Sequence, residues 1–491
     1  MEQQHKRRVI VRMAEPLSAE LFQLIFRRYP KSEWGSFVRF GIRLTTENLV
    51  LTLQAIDHPI AGDLDEESWI TEIQAQYTSR MLALTETHPY AVGFVHSHPL
   101  SFETGASPSD YEMEKYYAEL LIPYTPGLPF ASLIFALDKA NNFSATGRVY
   151  WSGEWYDVEK FIVDNMSVTL EDYTKPNQLS EEALKRVQRL VSQFSVDSAQ
   201  MLAGSTVGIV GASGTGSPCI ELLARAGVGK LIIIDPEVFE DSNLERVHGS
   251  TYDDIVTGTE KVLIAGRHVK TINPDCEVIL IRGRIPQSEV VDQLVTCNLV
   301  LGCTDLHSAR VALSDIALRY LIPTIDVGVA MEGADGKITG QVVQINRLFP
   351  GDPCVYCRKM VNSRLVQQEL MSPEEKEQRK AEAKKAQEEG RVAGMYWIET
   401  PQLNTVGYLT TLAGSIVVGY AIGYLTGRFD MTVNRIELNL SRQGIQIVEK
   451  DEEFDMDCTC SSGKGVSDQD PSKVIISPPQ HWPQPLFLSI E

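Results

Sequence analysis

Basic charge is what this chain has little of. Its 491 residues carry 45 Lys+Arg against 65 Asp+Glu, a formal net charge of −20. A surface of that sign excludes a nucleic-acid groove or an anionic membrane face as the main partner. A secretory leader is missing too: the opening MEQQHKRRVIVRMAEP is basic but holds no apolar core stretch. Long apolar runs are limited to 402–427, QLNTVGYLTTLAGSIVVGYAIGYLTG, which carries no charge. Its length would span a bilayer. Gln402, Asn404, four threonines and a serine, with Gly414, Gly419 and Gly423, read instead as a helix buried in a core or on a dimer face. Cysteine is scarce as well, at eight. Cys219, Cys276, Cys297 and Cys303 are scattered in apolar runs, and Cys354, Cys357, Cys458 and Cys460 form two close pairs. Without a leader, such pairs read as metal ligands rather than disulfides. The expected location is the cytoplasm.

The chain is long enough for about two to four domains, and 43% hydrophobic residues are enough to build their cores. Residues 1–160 read as an α+β unit. FVRFGIRLT and NLVLTLQAI have strand character, SWITEIQAQYTSRMLALTET has helical spacing, and YAVGFVHSHP is a strand ending at a proline. A helix opens at SPSDYEMEKYYAELL, capped by Ser107 or Ser109. Residues 161–182 read as a polar connector. From Thr206 the order is strand, helix, strand in TVGIVG, SPCIELLARAGVG and KLIIID, which implies a parallel sheet over 183–460. The charge run at 366–393 reads as a solvated helix or flexible loop, and the Ser/Pro-rich tail, 461–491, as extended or disordered.

Two stretches carry chemistry. In GFVHSHPLSFETGASPSD, His96 and His98 are two apart on a strand and so share a face. A hydrolytic zinc site takes three protein ligands and leaves a position for water. Asp110 is the nearest donor for the third ligand, and the spacing alone leaves the general base open. The second stretch, GASGTGS, follows a strand and opens a helix, with Gly211, Gly214 and Gly216 placed to let phosphates approach the backbone. The next strand ends in Asp235, where a ribose-binding acid belongs. A dehydrogenase would stop there. This chain continues with Asn243, Arg246, Lys261 and, at a later strand end, Asp305. One amide, two cations and a second carboxylate suit adenylation: the cations steady a triphosphate and the carboxylate holds Mg2+.

Residues 185–460 resemble the ThiF/MoeB/HesA adenylyltransferases, which include ubiquitin-activating enzymes. GASGTG, DPE…NLERV, the lysine ahead of TINPDC, and CTDLHSAR fall in the family's order. Ser213 replaces a loop glycine, and Val247 and His248 follow the arginine where glutamine is usual. The resemblance implies that ATP binds with its ribose on Asp235, its phosphates near Asn243, Arg246 and Lys261, and Mg2+ on Asp305. It implies a homodimer through this domain, with Arg186 or Arg189 completing the partner's site. It also implies a structural Zn2+ on Cys354, Cys357, Cys458 and Cys460. Family members that form a thioester carry a cysteine between the zinc pairs, and 358–457 holds none. Adenylation without a self-thioester is expected.

Residues 1–160 resemble the JAB/MPN metalloproteases, whose motif H-x-H-P-x7-S-x-x-D is met by His96, His98, Pro99, Ser107 and Asp110. The resemblance implies a catalytic Zn2+ on His96, His98 and Asp110. It adds a glutamate near a glycine at the end of an early helix, which Glu33 of YPKSEWGSF supplies as general base, and Ser107 as oxyanion donor. The overall expectation is an α/β protein: an α+β JAB/MPN domain followed by a Rossmann-like ThiF-type domain. It would activate the C-terminal glycine of a ubiquitin-like protein and process or deconjugate that modifier, with any conjugating enzyme a separate chain. Two alternatives stay open: sulfur-carrier activation in cofactor biosynthesis, and a non-catalytic modifier-binding scaffold.

Overall fold

The structure, a computed structural model, describes residues 7–65, 70–87, 90–99, 105–137, 143–163, 166–169, 179–335, 337–399, 405–441 and 444–490. The chain divides into two compact units. The first takes residues up to 178 together with Leu318–Leu321 and Ser462–Lys473, and the second takes the rest.

The first unit contains β1 (Arg8–Met13), α1 (Leu17–Ile25), β2 (Gly35–Leu44), β3 (Asn48–Asp57), α2 (Ala75–Thr87), β4 (Ala91–His98), α3 (Pro108–Leu121), β5 (Phe130–Leu137), β6 (Phe143–Trp151), β7 (Glu154–Val163) and β8 (Met166–Thr169). Its sheet runs β1-β3-β2-β4-β5-β6-β7-β8, and a further pairing of β1 with β7 closes the strands into a ring. Two apolar layers cover the two faces. Val9, Val11, Leu21, Ile25, Phe40, Val95 and Phe161 form one, and Trp34, Phe37, Tyr77, Val92, Phe94 and Tyr117 the other. Along β4 the alternation is strict: Ala91 and Val95 belong to the first layer, Val92 and Phe94 to the second. His96 and His98 continue the row of Val92 and Phe94, as a period of two requires.

Three expectations for this region change. RVIVRM, passed over inside a basic opening, is strand β1; its Arg12 is fully buried because Nε and Nη2 both donate to the Leu321 carbonyl, at 3.1 and 3.0 Å. The stretch read as a connector from 161 begins as sheet, since β7 runs to Val163 and β8 pairs with it; residues 170–178 lie outside those described. The tail is not disordered. Gly465 packs so tightly on β2 and β3 that a Cβ on Gly41 would lie 2.3 Å from its carbonyl oxygen, and Thr52 Oγ1 donates to that same oxygen at 2.7 Å.

The second unit contains α4 (Glu181–Arg186), α5 (Gln188–Phe194), α6 (Val196–Ala203), β9 (Thr206–Val210), α7 (Gly216–Ala226), β10 (Lys230–Ile234), α8 (Tyr252–Thr257), α9 (Lys261–Ile272), β11 (Glu277–Arg282), α10 (Ser288–Leu294), β12 (Leu299–Gly302), α11 (His307–Arg319, whose last two residues belong to the first unit) and β13 (Thr324–Ala334). It continues through β14 (Lys337–Leu348), α12 (Ser363–Leu370), α13 (Pro373–Glu388), α14 (Gly407–Thr426), β15 (Arg435–Asn439), β16 (Gln446–Lys450) and β17 (Leu486–Leu488). The sheet order is β16-β15-β14-β13-β12-β9-β10-β11-β17, and the five strands from β13 to β11 are parallel. The chain moves outward from β9 through β10 to β11, then returns to β12 on the other side. The switch point therefore lies between β9 and β12, where open α/β sheets bind ligands outside the strand C-termini. The tail's β17 adds an antiparallel edge to β11.

α14 is the one helix among the described residues long and apolar enough to cross a membrane, and 61% of its most apolar window is buried. Leu409, Ala413, Val417 and Ala421 form a stripe at intervals of four that enters the main core. A Cβ on Gly414 would lie 2.8 Å from Pro218 Cγ of α7, and one on Gly423 2.5 Å from the Phe429 ring, whereas one on Gly419 would meet nothing within 4 Å. Close packing thus explains two of the three glycines. Gly414→Ala should destabilise the protein by about 1–3 kcal/mol through overpacking, while Gly419→Ala should stabilise it by roughly 0.5–1 kcal/mol through helix propensity. Urea unfolding of the two variants checks both signs; a loss at Gly419 equal to that at Gly414 would refute the assignment.

Candidate functional sites

The first site grows from the end of β4. Its pairing with β2 sets Gly35 opposite His96, where a Cβ would strike the Phe94 ring at 2.6 Å and the Val95 carbonyl at 2.9 Å. Only glycine lets β2 run this close, and that approach carries Glu33 to the histidines. Glu33 is not at the end of a helix: α1 stops at Ile25, and Glu33 lies in the turn entering β2. Ser97, on the opposite face of β4, fastens that turn. Its Oγ donates to the Ile25 carbonyl at 2.5 Å, and its backbone amide donates to the Trp34 carbonyl at 3.0 Å.

Asp110 arrives on the first turn of α3. Ser107 is the cap: its Oγ accepts from the Asp110 amide at 3.3 Å, and its own amide donates to Asp110 Oδ2 at 2.6 Å. This reciprocal box fixes the carboxylate. Ser107 Oγ also lies 2.8 Å from Ser109 Oγ. His96 Nε2 is 3.3 Å from His98 Nε2 and 3.2 Å from Asp110 Oδ1, and His98 Nε2 is 3.6 Å from Asp110 Oδ2. Zinc–nitrogen bonds of about 2.0–2.1 Å imply a tetrahedral edge of about 3.3–3.4 Å, so this donor set fits zinc. Burial pushes the Asp110 carboxyl up, but hydrogen bonds with His96 and His98 outweigh it and hold the group well below the ordinary carboxylate range. Glu33 Oε1 is 3.8 Å from His98 Nε2, while its Oε2 is held at 3.0 Å by the Thr71 amide. Glu33 is thus beside the cluster but outside its ligand shell. Ser97 and Thr71 carry no signal in the sequence; they bear on the site through contacts to Glu33 and its turn.

The second site is built at the switch point. Gly211 has φ +100°, and a Cβ there would lie 2.5 Å from the Cys303 carbonyl oxygen; one on Gly216 would lie 1.8 Å from the Gly211 oxygen. Gly214 packs under Arg246, whose Cδ would be 3.1 Å from an added Cβ. Ser213 uses its backbone carbonyl, accepting from the Ser217 amide at 2.8 Å, so the missing glycine costs the loop nothing visible. Asp235 follows β10 and ties back to the loop: Oδ2 accepts from the Ala212 amide at 2.7 Å and Oδ1 from the Glu237 amide at 2.9 Å. Burial raises its carboxyl above the ordinary range, against the pull of the Lys261 charge and both amides.

Lys261 opens α9 with a buried side chain whose Nζ donates to the exposed Glu237 Oε2 at 2.5 Å. Asn243 is buried and uses its side-chain oxygen to accept from the Glu240 amide at 3.2 Å. Arg246 Nη1 donates to Thr405 Oγ1 at 2.8 Å and to the Thr405 carbonyl at 3.2 Å. His248, the second residue after Arg246, is clamped between Glu221 Oε2 at 2.8 Å and Thr411 Oγ1 at 3.0 Å. Asp305 follows β12 and is exposed; no hydrogen bond or ion pair ties it to the other residues of this site among those described. Arg186 is ion-paired with Asp275, and Arg189 on α5 is exposed. Glu237 and Thr405 are further residues of this site that the sequence analysis did not single out.

The four clustered cysteines converge. Cys354 Sγ lies 3.7 Å from both Cys357 Sγ and Cys458 Sγ, and Cys357 Sγ lies 3.7 Å from Cys460 Sγ. A zinc–sulfur bond of about 2.3 Å implies an edge of about 3.8 Å, so these thiols also fit tetrahedral zinc. The knuckle is anchored by the buried Arg358, which pairs with Glu452 at 2.8 Å and donates to the carbonyls of Arg347 and Asn434 at 2.8 and 2.7 Å.

The ThiF family matches residues 186–460. The SAMP-activating enzyme E1 of Haloferax volcanii is 35% identical over 156 residues, 32% of this chain and 54% of that protein. The adenylyltransferase and sulfurtransferase UBA4 of Saccharomyces cerevisiae is 31% identical over 189 residues, 38% of this chain and 42% of that protein. The chain thus spans about half the length of the curated relatives it matches. The solved structure of E. coli MccB with succinimide aligns at a TM-score of 0.43 and 17% identity, over 61% of this chain and 78% of that one, too loosely to bear on the site.

The cysteine and histidine clusters should behave differently when opened. Cys458→Ser should remove one equivalent of zinc and about 2 kcal/mol or more of stability, a fall in Tm of roughly 4–8 °C for a unit of this size. His98→Ala should remove the other equivalent and leave the second unit's unfolding in place. Metal analysis with calorimetry checks this; full zinc content in Cys458→Ser would refute the ligand assignment.

Proposed function

This chain belongs to the ThiF family, and from that premise we propose that its second unit adenylates the C-terminal glycine of a ubiquitin-like protein while its first unit, a zinc isopeptidase of the JAB/MPN type, processes or releases the same modifier. The observation that carries the first half is the convergence at the switch point: glycine loop, Asp235 and Asp305 follow β9, β10 and β12. The second half is supported by the zinc-like spacing of His96, His98 and Asp110 beside Glu33.

In adenylation the modifier's terminal carboxylate attacks the α-phosphorus of ATP and pyrophosphate leaves. Each oxygen of Asp235 accepts one backbone amide and keeps a lone pair to receive a ribose hydroxyl. Lys261 passes from the solvent-exposed Glu237 to the phosphates, and Arg246, braced on Thr405 through Nη1, presents Nη2 to them. Asp305 would hold Mg2+, which would supply charge neutralisation at the phosphates. A homodimer would bring Arg189 or Arg186 to the partner's site, and the Asp275 ion pair on Arg186 favours Arg189. The cysteines outside the knuckle are all buried, and burial pushes the Cys276 thiol up to about 12, so none is placed as a thioester nucleophile.

In the first unit, His96, His98 and Asp110 would hold a zinc ion, whose chemistry would be to lower the pKa of a bound water. Glu33 Oε2 is fixed by the Thr71 amide, which leaves Oε1 to take the water's proton and return it to the leaving amine. Ser107 Oγ accepts from the Asp110 amide, and its hydroxyl would serve the oxyanion when Ser109 is the donor in their shared hydrogen bond. Activation of a sulfur carrier is a second reading, favoured by the name of the UBA4 relative. Both readings share the adenylate; a thiocarboxylate product supports sulfur transfer, and a lysine conjugate supports protein modification. A silent scaffold would release no pyrophosphate.

Glu33→Gln should keep its zinc and lose cleavage of a modifier fusion by about 10²–10⁴-fold, whereas His98→Ala should lose both. Asp305→Ala should abolish modifier-dependent ATP–pyrophosphate exchange and leave cleavage intact. Wild-type cleavage by Glu33→Gln, or loss of both activities in folded Asp305→Ala, would refute the division of labour. Incubation with modifier and Mg·ATP should yield an adenylate and no reductant-sensitive adduct; a thioester abolished by a single Cys→Ala change would overturn that reading.

A further inference from the structure

We propose that Glu369 is a positioning residue for Asp305: it caps α11 from a distance so that Asp305 does not cap it and stays available to a divalent cation. This rests on the reading of Asp305 as the cation carboxylate. Asp305 stands two residues ahead of α11, whose first free amides are those of His307 and Ser308. Helix N-termini attract carboxylates, through unpaired N–H groups and the positive end of the dipole, and aspartate is among the strongest local caps. Asp305, one residue outside the cap position Leu306, is close enough to compete for these amides. Both amides are already taken: Glu369 Oε1 accepts from His307 at 3.1 Å, and Oε2 accepts from Ser308 at 2.7 Å. That carboxylate comes from α12, more than sixty residues along the chain.

The loop is tethered on both sides of Asp305. Upstream, the Cys303 amide donates to the Val210 carbonyl at 2.8 Å, beside the glycine loop. Downstream, the Leu306 amide donates to Thr304 Oγ1 at 3.2 Å, and α11 begins on the Glu369 cap. The Asp305 side chain itself is exposed, so its placement is set by backbone and cap. The neighbouring Gln368 makes a separate contact on α12 that does not touch the cap. Gln368 clasps the Ile398 backbone, donating to its carbonyl at 3.1 Å and accepting from its amide at 2.9 Å.

The test uses the full chain with Mn2+ and a non-hydrolysable ATP analogue, reading free Mn2+ by electron paramagnetic resonance, alongside the Mg2+ dependence of modifier-driven pyrophosphate exchange. Glu369→Gln should weaken Mn2+ binding about tenfold, as loss of an outer-shell partner does. It should raise the half-saturating Mg2+ by the same factor and leave the rate at saturating Mg2+ unchanged. Glu369→Asp, which shortens the reach, should shift both in the same direction. Gln368→Ala, which loosens α12 but leaves the cap, should shift neither. Wild-type Mn2+ affinity in both Glu369 variants, an equal shift in Gln368→Ala, or a rate loss that Mg2+ does not restore would overturn the proposal. A wild-type chain that binds Mn2+ with the analogue but exchanges no pyrophosphate would instead overturn the adenylation reading.

Discussion

The parallel pairing of β9 with β12, sealed where the Cys303 amide donates to the Val210 carbonyl, is the contact on which the second unit's chemistry depends. It forces the glycine loop against the Cys303 backbone, where a Cβ on Gly211 would collide at 2.5 Å. The chain reverses its order across the sheet at this point, which opens a crevice at the strand ends. The crevice takes the loop from one side and Asp305 from the other, and Asp235 joins by bonding back to Ala212. Every other residue of the site is placed relative to that seam.

The first unit uses a different constraint for a similar end. A strand period of two continues an apolar row, Val92 and Phe94, into a polar one, His96 and His98. The same pleat turns Ser97 the other way, where it fastens the turn that carries Glu33. One strand thus aims two imidazoles at one point and indirectly fixes the Glu33 turn, while a capping box on α3 delivers Asp110. The spacing of these three groups is set by backbone geometry.

Much of this was legible because it is local. The i, i+2 histidines, the Ser107–Asp110 cap, the glycine loop with its following acid and the two cysteine pairs are short-range patterns with physical periods. What escaped was long-range. β1 was hidden because Arg12 reads as a surface charge until the Leu321 carbonyl that satisfies it is known. The tail reads as extended or disordered by composition, and Gly465 and Leu486–Leu488 find partners hundreds of residues away. Glu33 was found through its neighbouring glycine, but its turn, Thr71 and Ser97 were not, since nothing in their spacing marks a contact across the sheet.

By itself the sequence determined the chemistry available: two imidazoles and a carboxylate, four thiols in two pairs, and a glycine loop with acids and cations after it. Periodicity and capping act over a few residues, so residue types at given spacings were enough. Only the tertiary structure decided which of these groups meet and which are kept apart. Glu369 caps α11 and leaves Asp305 exposed, Glu237 holds Lys261, and Thr405 braces Arg246. Those choices depend on helices and strands that pack from distant parts of the chain. Such packing follows from burial of whole faces rather than from any local motif.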